Sequence, residues 1–305
     1  MKPEFYIKNN ELIGKYEWEK IIFNMKKSIK AANKGLDNKN KALQLLSNEL
    51  VKAIENRLPD EKFGILFSGG VDSSLIALIA KKAGKDFICY TVGFQEGESK
   101  EPEDVVYARK AAKELGVEVR VKIINLEQAH ELFKKTVKIL GKQLNNVINA
   151  GVGGVELACI EMAKNDNIKI LFSGLGSEEI FAGYQRHKEA RDKQEECWRG
   201  LIVMSERDLL RDFAVASSQN ITFSTPFLDK ALVEFAMKIP DKFKIDNDRV
   251  KIILREAAES LGLKKEIAWR RKLAAQYGSR LDSAIAKLAK KKGFEYKIDY
   301  LRGLQ

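Results

Sequence analysis

Two short runs carry the residue types that handle anions, protons or metals. The first, Ser68-Gly69-Gly70-Val71-Asp72-Ser73-Ser74, follows an apolar stretch at 63–67 and opens another at 75–80. Two glycines let the backbone turn sharply and approach a ligand, and the unpaired N–H groups of a helix start favour negative charge there. An anion is expected on this turn. It lacks the Gly-Lys-Ser/Thr of a Walker A loop and is not GxGxxG, so γ-phosphate transfer is not what it suggests. Asp72 would repel bound phosphates unless a divalent cation bridged them, which makes it a candidate Mg2+ ligand. The plainer alternative is that Ser68 or Asp72 caps the helix without any ligand.

The second run is Ser173-Gly174-Leu175-Gly176-Ser177-Glu178-Glu179-Ile180-Phe181-Ala182-Gly183-Tyr184-Gln185-Arg186-His187. It too is a Gly-rich turn after an apolar strand, now with two carboxylates in the first helical turn. Acids there also complement a helix dipole, worth a few tenths of a kcal/mol to about 1 kcal/mol each, with no ligand involved. Turns at the carboxyl ends of parallel strands converge on one crevice, where the two runs together would hold a magnesium nucleotide.

The elements needed to position these turns are present. Residues 1–58 are charged and helix-like, with Leu43, Leu46, Leu50 and Ile54 on one stripe, and are expected as an N-terminal extension to a main unit at 59–305. A strand at 63–67, a helix at about 72–83 and a strand at 87–92 give β-α-β. Asp104 is placed as the N-cap of a helix stopped by Gly116, followed by alternating Val117, Val119, Val121 and Ile123. Helices near 127–140 and 152–164 precede a strand at 168–172, and from about 178 the pattern is almost wholly helical. Repeated units of this kind predict an α/β fold: a parallel sheet with helices on both faces, then a mostly helical C-terminal part.

With 305 residues, 45% hydrophobic and 32% charged, the chain has enough apolar content for a sizeable core, which excludes disorder and a disulfide scaffold. Cys89, Cys159 and Cys197 form no CxxC pair, which argues for a reducing compartment and against zinc, and His130 and His187 are too few for a His-rich metal centre. The start Met1-Lys2-Pro3-Glu4-Phe5 has no apolar signal region and no stretch suits a membrane span, so a cytoplasmic location is expected. The net charge of +11 favours an anionic partner, a phosphate-bearing molecule or nucleic acid.

The first run resembles the pyrophosphatase loop (PP-loop) of the N-type ATP pyrophosphatases, adenine nucleotide alpha hydrolase-like enzymes that split ATP between its α and β phosphates to adenylate a substrate. The second resembles the Ser-Gly-Glu-Gly-Ala-Asp-Glu segment of the asparagine synthetase synthetase domain. Thr225-Pro226-Phe227-Leu228-Asp229 is similar to that family's Val-Pro-Phe-Leu-Asp, Lys251-Ile252-Ile253-Leu254-Arg255 to its Lys-x-x-Leu-Arg helix, and Trp269-Arg270-Arg271-Lys272 to its Arg-x-Lys turn. The resemblance covers roughly residues 40–280. It implies ATP and Mg2+ as cofactors, with Asp72 and Glu178 as magnesium ligands. Leu66, Ser68, Gly69, Gly70, Asp72, Ser73, Val92, Ser173 and Gly174 are the implied ATP-binding set, Val92 or its neighbours forming the adenine wall. Lys251 would offset charge growing on the phosphates, so that Lys251, Asp72 and Glu178 form the catalytic group.

Three departures from the family stand out. The family's N-terminal glutaminase begins with a cysteine, whereas residue 2 here is Lys, so nitrogen is expected as free ammonia or from a separate glutaminase subunit. The family's second-loop Glu, thought to position or deprotonate that nitrogen, is Leu175. Together with Ala274-Ala275-Gln276-Tyr277-Gly278-Ser279-Arg280, this looks most like the asparagine synthetase domain-containing branch. Glu-Ala-Arg before the Pro-Phe-Leu-Asp turn is Thr222-Phe223-Ser224, which removes a charge pair near the acceptor.

The implied function is an ATP-dependent amide-forming ligase acting on an aspartate-like carboxylate and a nitrogen donor, with no membrane partner and a homodimer compatible with it. The alternatives are adenylation of a base in transfer RNA and a non-catalytic nucleotide-binding subunit. Residues 264–297 hold 11 basic and 3 acidic residues, a local 11 − 3 = +8 interleaved with Trp269, Tyr277, Phe294 and Tyr296, a pattern that suits RNA. It equally suits the solvated face of an amphipathic helix marked by Leu281, Ala284, Ile285 and Leu288. His130, His187 and Cys89 are expected to be structural.

Overall fold

The computed structural model describes residues 4–32, 36–271 and 273–305. The residues at 1–3 and Lys272 of the basic turn lie outside them. The described chain opens with a two-stranded hairpin, β1 (Ile7–Lys8) and β2 (Glu11–Leu12), and helices α1 (Lys15–Ala32) and α2 (Lys39–Glu55). Next come β3 (Phe63–Leu66), α3 (Val71–Lys82), β4 (Phe87–Phe94), α4 (Glu103–Leu115), β5 (Val119–Ile124), α5 (Leu126–Leu144), α6 (Val147–Asn165) and β6 (Ile170–Phe172). Helices α7 (Ser177–Ile180), α8 (Gln185–Glu189) and α9 (Lys193–Met204) lead through a π-helical turn, Ser205–Leu209, into α10 (Leu210–Ser218) and β7 (Thr222–Ser224). The remainder is α11 (Lys230–Ala236), α12 (Asp241–Lys244), α13 (Ile252–Ser260), α14 (Lys265–Ala268), α15 (Ala275–Gly278), α16 (Leu281–Lys291) and α17 (Lys297–Arg302).

The α/β architecture expected from the repeated units is present. The main sheet is parallel with strand order β5-β4-β3-β6-β7. Side chains alternate between two cores: Phe63, Ile65, Phe172 and Cys89 face one that includes α2, α3 and α13, while Tyr90, Val92 and Leu171 face one built by α5, α6 and α16. Covering on both faces explains why β4 is buried along its whole length and why Val71 to Ala80 of α3 are all buried. The first core also takes in Trp18, Ile22, Leu46, Leu50 and Ile54, with α2 packed on α3, α11 and α13 and α1 packed on α9.

The chain runs outward from β3 through β4 to β5, then returns to the other side of β3 for β6 and β7. The strand order therefore reverses between β3 and β6, the place where open α/β sheets form a crevice at the carboxyl ends of their strands. Gly64 pairs with Leu171 and Ile65 with Phe172, so the turns leaving β3 and β6 start at nearly the same height.

Four details differ from the sequence expectation. β7 lies within the region expected to be helical, where Thr222, Phe223 and Ser224 extend the ladder of β6. The β1–β2 hairpin was not foreseen. Asp104 is not an N-cap: Pro102 occupies that position, and Asp104 sits in the first turn, 4% exposed and bound to Arg270. Lys251 precedes the helix rather than lying in it, with φ 55° and ψ 32°. Among the described residues no helix is long and apolar enough to cross a membrane.

Candidate active site

The first turn brings the backbone onto the start of α3. Gly70 is the N-cap residue and no side chain caps the helix, so Ser68 and Asp72 are not spent on that task. Ser68 Oγ accepts from the Gly70 N–H at 3.4 Å, and Ser73 Oγ donates to the Gly70 carbonyl at 3.4 Å. The hydroxyl of Ser74 is buried without a partner. Asp72, in the first helical turn, is 2% exposed.

The second turn packs directly on Asp72. A Cβ at Gly174 would lie 2.9 Å from Asp72 Cβ, so glycine permits this approach. Ser173 is held by its N–H, which donates to the Ser224 carbonyl at 2.9 Å. Glu178 and Glu179 then diverge. Glu178 turns toward Asp72, while Glu179 is buried on the other side, with Arg207 at 3.7 Å and Arg186 at 4.0 Å. Burial, with Asp208 and Glu178 adding to it, pushes the Glu179 carboxyl up to about 7.

Lys251 joins the two turns. Its Nζ donates to Asp72 Oδ1 at 3.0 Å, Asp72 Oδ2 at 2.9 Å and Ser177 Oγ at 2.9 Å, and lies 2.8 Å from Glu178 Oε1. Only 2% of the residue is exposed. Burial alone would lower its basicity, but Asp72 and Glu178 more than offset this and hold the ammonium above its ordinary range. A left-handed backbone at a non-glycine residue costs about 1 to 3 kcal/mol and persists where surrounding structure demands it. Here the demand is an amine placed between two acids that are 106 residues apart in sequence, 178 − 72. Gly183 completes the enclosure: a Cβ there would fall 1.7 Å from Glu178 Oε2 and 2.5 Å from Lys251 Cε.

The structure thus gathers Ser68, Gly69, Gly70, Asp72, Ser73, Ser173, Gly174, Glu178 and Lys251 around the switch point. Two others stand apart: Leu66 is half-buried against the second core, and Val92 is 1% exposed within it, so neither joins the polar cluster. Arg270 and Ser177 are members that received no role from the sequence, although both lie inside the quoted runs. Arg270 Nη1 donates to the Ser68 carbonyl, and its Nη2 donates to Asp104 Oδ1 at 2.6 Å.

His187 is fully buried, its Nδ1 accepting from the Tyr184 N–H at 3.0 Å. Burial, assisted by Arg186 and Lys244, pushes its imidazole down to about 4. His130 shares a 2.7 Å hydrogen bond with the Tyr300 hydroxyl. In the basic C-terminal stretch Arg270 is turned inward, and Lys264, Lys287 and Lys297 pair with Glu114, Glu96 and Asp282. Among the described residues no group of three or more His, Cys, Asp or Glu side chains is arranged to hold a metal by itself.

The family model described as asparagine synthase matches residues 45–215 and 192–294. The chain is 30% identical to the putative glutamine-hydrolysing asparagine synthetase 1 of Methanocaldococcus jannaschii, over 96% of this chain and 58% of that protein. It is also 30% identical to the glutamine-hydrolysing asparagine synthetase of Homo sapiens, over 77% of this chain and 43% of that protein. It thus spans only about half the length of these curated relatives. A solved structure described as NMN synthetase from Francisella tularensis overlaps 88% of this chain and 92% of its own, with a TM-score of 0.41 at 14% identity, a distant likeness. The match of the family model across most of the chain, which contains the two turns and Lys251, makes this chain a member of the asparagine synthase family.

Proposed function

We propose that the chain is an ATP-dependent ligase that adenylates a carboxylate, releases pyrophosphate, and passes ammonia or an amine to the activated acyl group. One observation carries this reading: a single buried ammonium, Lys251 Nζ, contacts Asp72 and Glu178, each supplied by a different Gly-rich turn at the switch point. Two carboxylates that share one positive centre also suit Mg2+, which takes one or two carboxylates and completes its shell with phosphate oxygens and water. Asp72 and Glu178 would hold that ion, and its chemistry would be to neutralise the departing pyrophosphate.

The protein's own groups define the remaining steps. The N–H groups at the start of α3 and the Ser68 and Ser73 hydroxyls bind the β and γ phosphates. Ser173 and Gly174 face the α-phosphate and the acyl group. A carboxylate oxygen attacks the α-phosphorus, the bond from that phosphorus to the bridging oxygen of the β-phosphate breaks, and pyrophosphate departs with that oxygen. Lys251, fixed and positively charged, lowers the cost of the charge that builds on the phosphates. Nitrogen then adds to the acyl carbon, AMP leaves with the oxygen of its phosphate, and the nitrogen gives up its proton to water. Leu175 cannot accept that proton, so the acceptor of this chain need not be aspartate.

The test is AMP release measured over amino acids, dicarboxylates and transfer RNA, with ammonium present. AMP formed with one carboxylate, and lost in Asp72→Asn, is the expected result. AMP without asparagine from aspartate and ammonium would keep adenylation and reject that acceptor pair. An unchanged rate in Asp72→Asn would overturn the assignment.

A further inference from the structure

Lys251 grips one side of the first turn, and a second basic residue grips the other. Arg270, just after α14, is 4% exposed. Its Nη1 holds the Ser68 carbonyl, its Nη2 holds Asp104 at 2.6 Å, and its guanidinium lies over the Tyr107 ring, 4.0 Å from the centroid. The backbone that carries it is itself braced, since Arg255 Nη1 donates to the Arg270 carbonyl at 3.0 Å and to that of Ala268 at 2.5 Å. Gly69, with φ +70°, meets the same helix α4: a Cβ there would lie 2.4 Å from the Tyr107 carbonyl oxygen. The turn is therefore pinned to α4 twice, once by direct contact at Gly69 and once through Arg270 at Ser68.

We propose that Arg270 is a positioning residue for the phosphate-binding turn. By binding the Ser68 carbonyl it keeps that electron-rich oxygen away from the phosphates, so that the N–H groups of the turn face them. A planar guanidinium suits the task because it donates along two edges while its face stacks on an aromatic ring, which a lysine cannot reproduce. This rests on the ATP-site reading above, and predicts that Arg270 governs affinity for the pyrophosphate portion of the nucleotide and not for the adenosine monophosphate portion.

Calorimetric titration of the full chain with MgATP, magnesium pyrophosphate and AMP separates these parts. In Arg270→Lys, affinity for MgATP and pyrophosphate should fall about tenfold, the effect of losing one charge-assisted hydrogen bond, while AMP binds as before. Tyr107→Leu, which removes only the stacking surface, should shift affinities in the same direction by less. Unchanged MgATP affinity in Arg270→Lys overturns the proposal, as does an equal loss for all three ligands, the mark of a merely structural role. Failure of the unsubstituted protein to bind either MgATP or pyrophosphate overturns the ATP-site reading itself, and is recognised from that arm alone.

Discussion

The tightest feature of the site is Gly183, and Gly183→Ala tests whether the Asp72–Lys251–Glu178 cluster does the chemistry. Ordinary carbon contacts begin at 3.4 Å, so a new Cβ requires Glu178 Oε2 to retreat by 3.4 − 1.7 = 1.7 Å and Lys251 Cε by 3.4 − 2.5 = 0.9 Å. Both atoms belong to the far ends of long side chains, and the Gly183 backbone is not in the left-handed region, so the main chain can stay where it is. The stability cost is that of modest overpacking, about 1 to 3 kcal/mol. Turnover should suffer far more, because misplacing a reacting or charge-balancing group by about 1 Å commonly costs on the order of a hundredfold in rate. Pyrophosphate release at saturating MgATP, read beside the thermal unfolding midpoint, separates the two effects. The expected variant is folded, loses a few degrees in Tm and about 99% of its rate. A folded variant whose rate stays within about twofold of the original would show that this cluster is not where catalysis happens.

Lys251→Met should lower the rate of pyrophosphate release by about a hundredfold to a thousandfold, the usual loss when one preorganised electrostatic donor is removed; unaltered turnover would contradict the role given to it. Arg57 is 1% exposed and binds Glu4 at 3.0 and 3.1 Å and Asp229 at 2.7 Å. Arg57→Ala would take the positive charge from between two buried carboxylates and should cost about 3 to 5 kcal/mol in urea unfolding. The His187 imidazole ionises near 6.5 when unfolded and near 4 when folded, so the unfolded state binds more protons between those values. Stability should therefore drop as pH falls from 6.5 to 4, and the drop should be shallower in His187→Asn, a difference that denaturation series at pH 7, 5.5 and 4.5 would reveal. Filter binding to bulk transfer RNA should stay weak even at low salt, because several cations of the 264–297 stretch are paired within the chain; strong binding that collapses with added salt would show a nucleic-acid surface.

The parallel core and both Gly-rich turns were legible because their signals are local. A buried strand, a two-glycine turn and an apolar helix follow one another within some twenty residues, and Asp72 stands out as an acid where an anion should bind. What escaped is non-local. β7 is three residues long and is a strand only because β6 offers it a ladder, so no periodicity could reveal it. Asp104 has the composition of a cap, yet Pro102, with no N–H of its own, already sets the helix entry and frees Asp104 for Arg270. Lys251 reads as helical by its neighbours, and its left-handed backbone follows from partners 179 and 73 residues away, 251 − 72 and 251 − 178. Val92, which the resemblance gives, with its neighbours, to the adenine wall, lies in the second core, on a strand buried along both faces.

The long reach of these contacts bears on how the molecule comes into being. Lys251 meets Asp72 across 179 residues and Glu178 across 73, Arg270 meets Ser68 across 202, and Arg57 meets Asp229 across 172. A nascent chain that has left the ribosome only as far as α10 possesses both carboxylates of the crevice but not the Lys251 ammonium that reconciles them. Assembly of the crevice thus requires loop closures of this size, and such closures are slow. Peptides ending before residue 251 should consequently retain β3 to β6 in loosened form and remain open to proteases at the two turns, which Lys251 and Arg270 would otherwise seal.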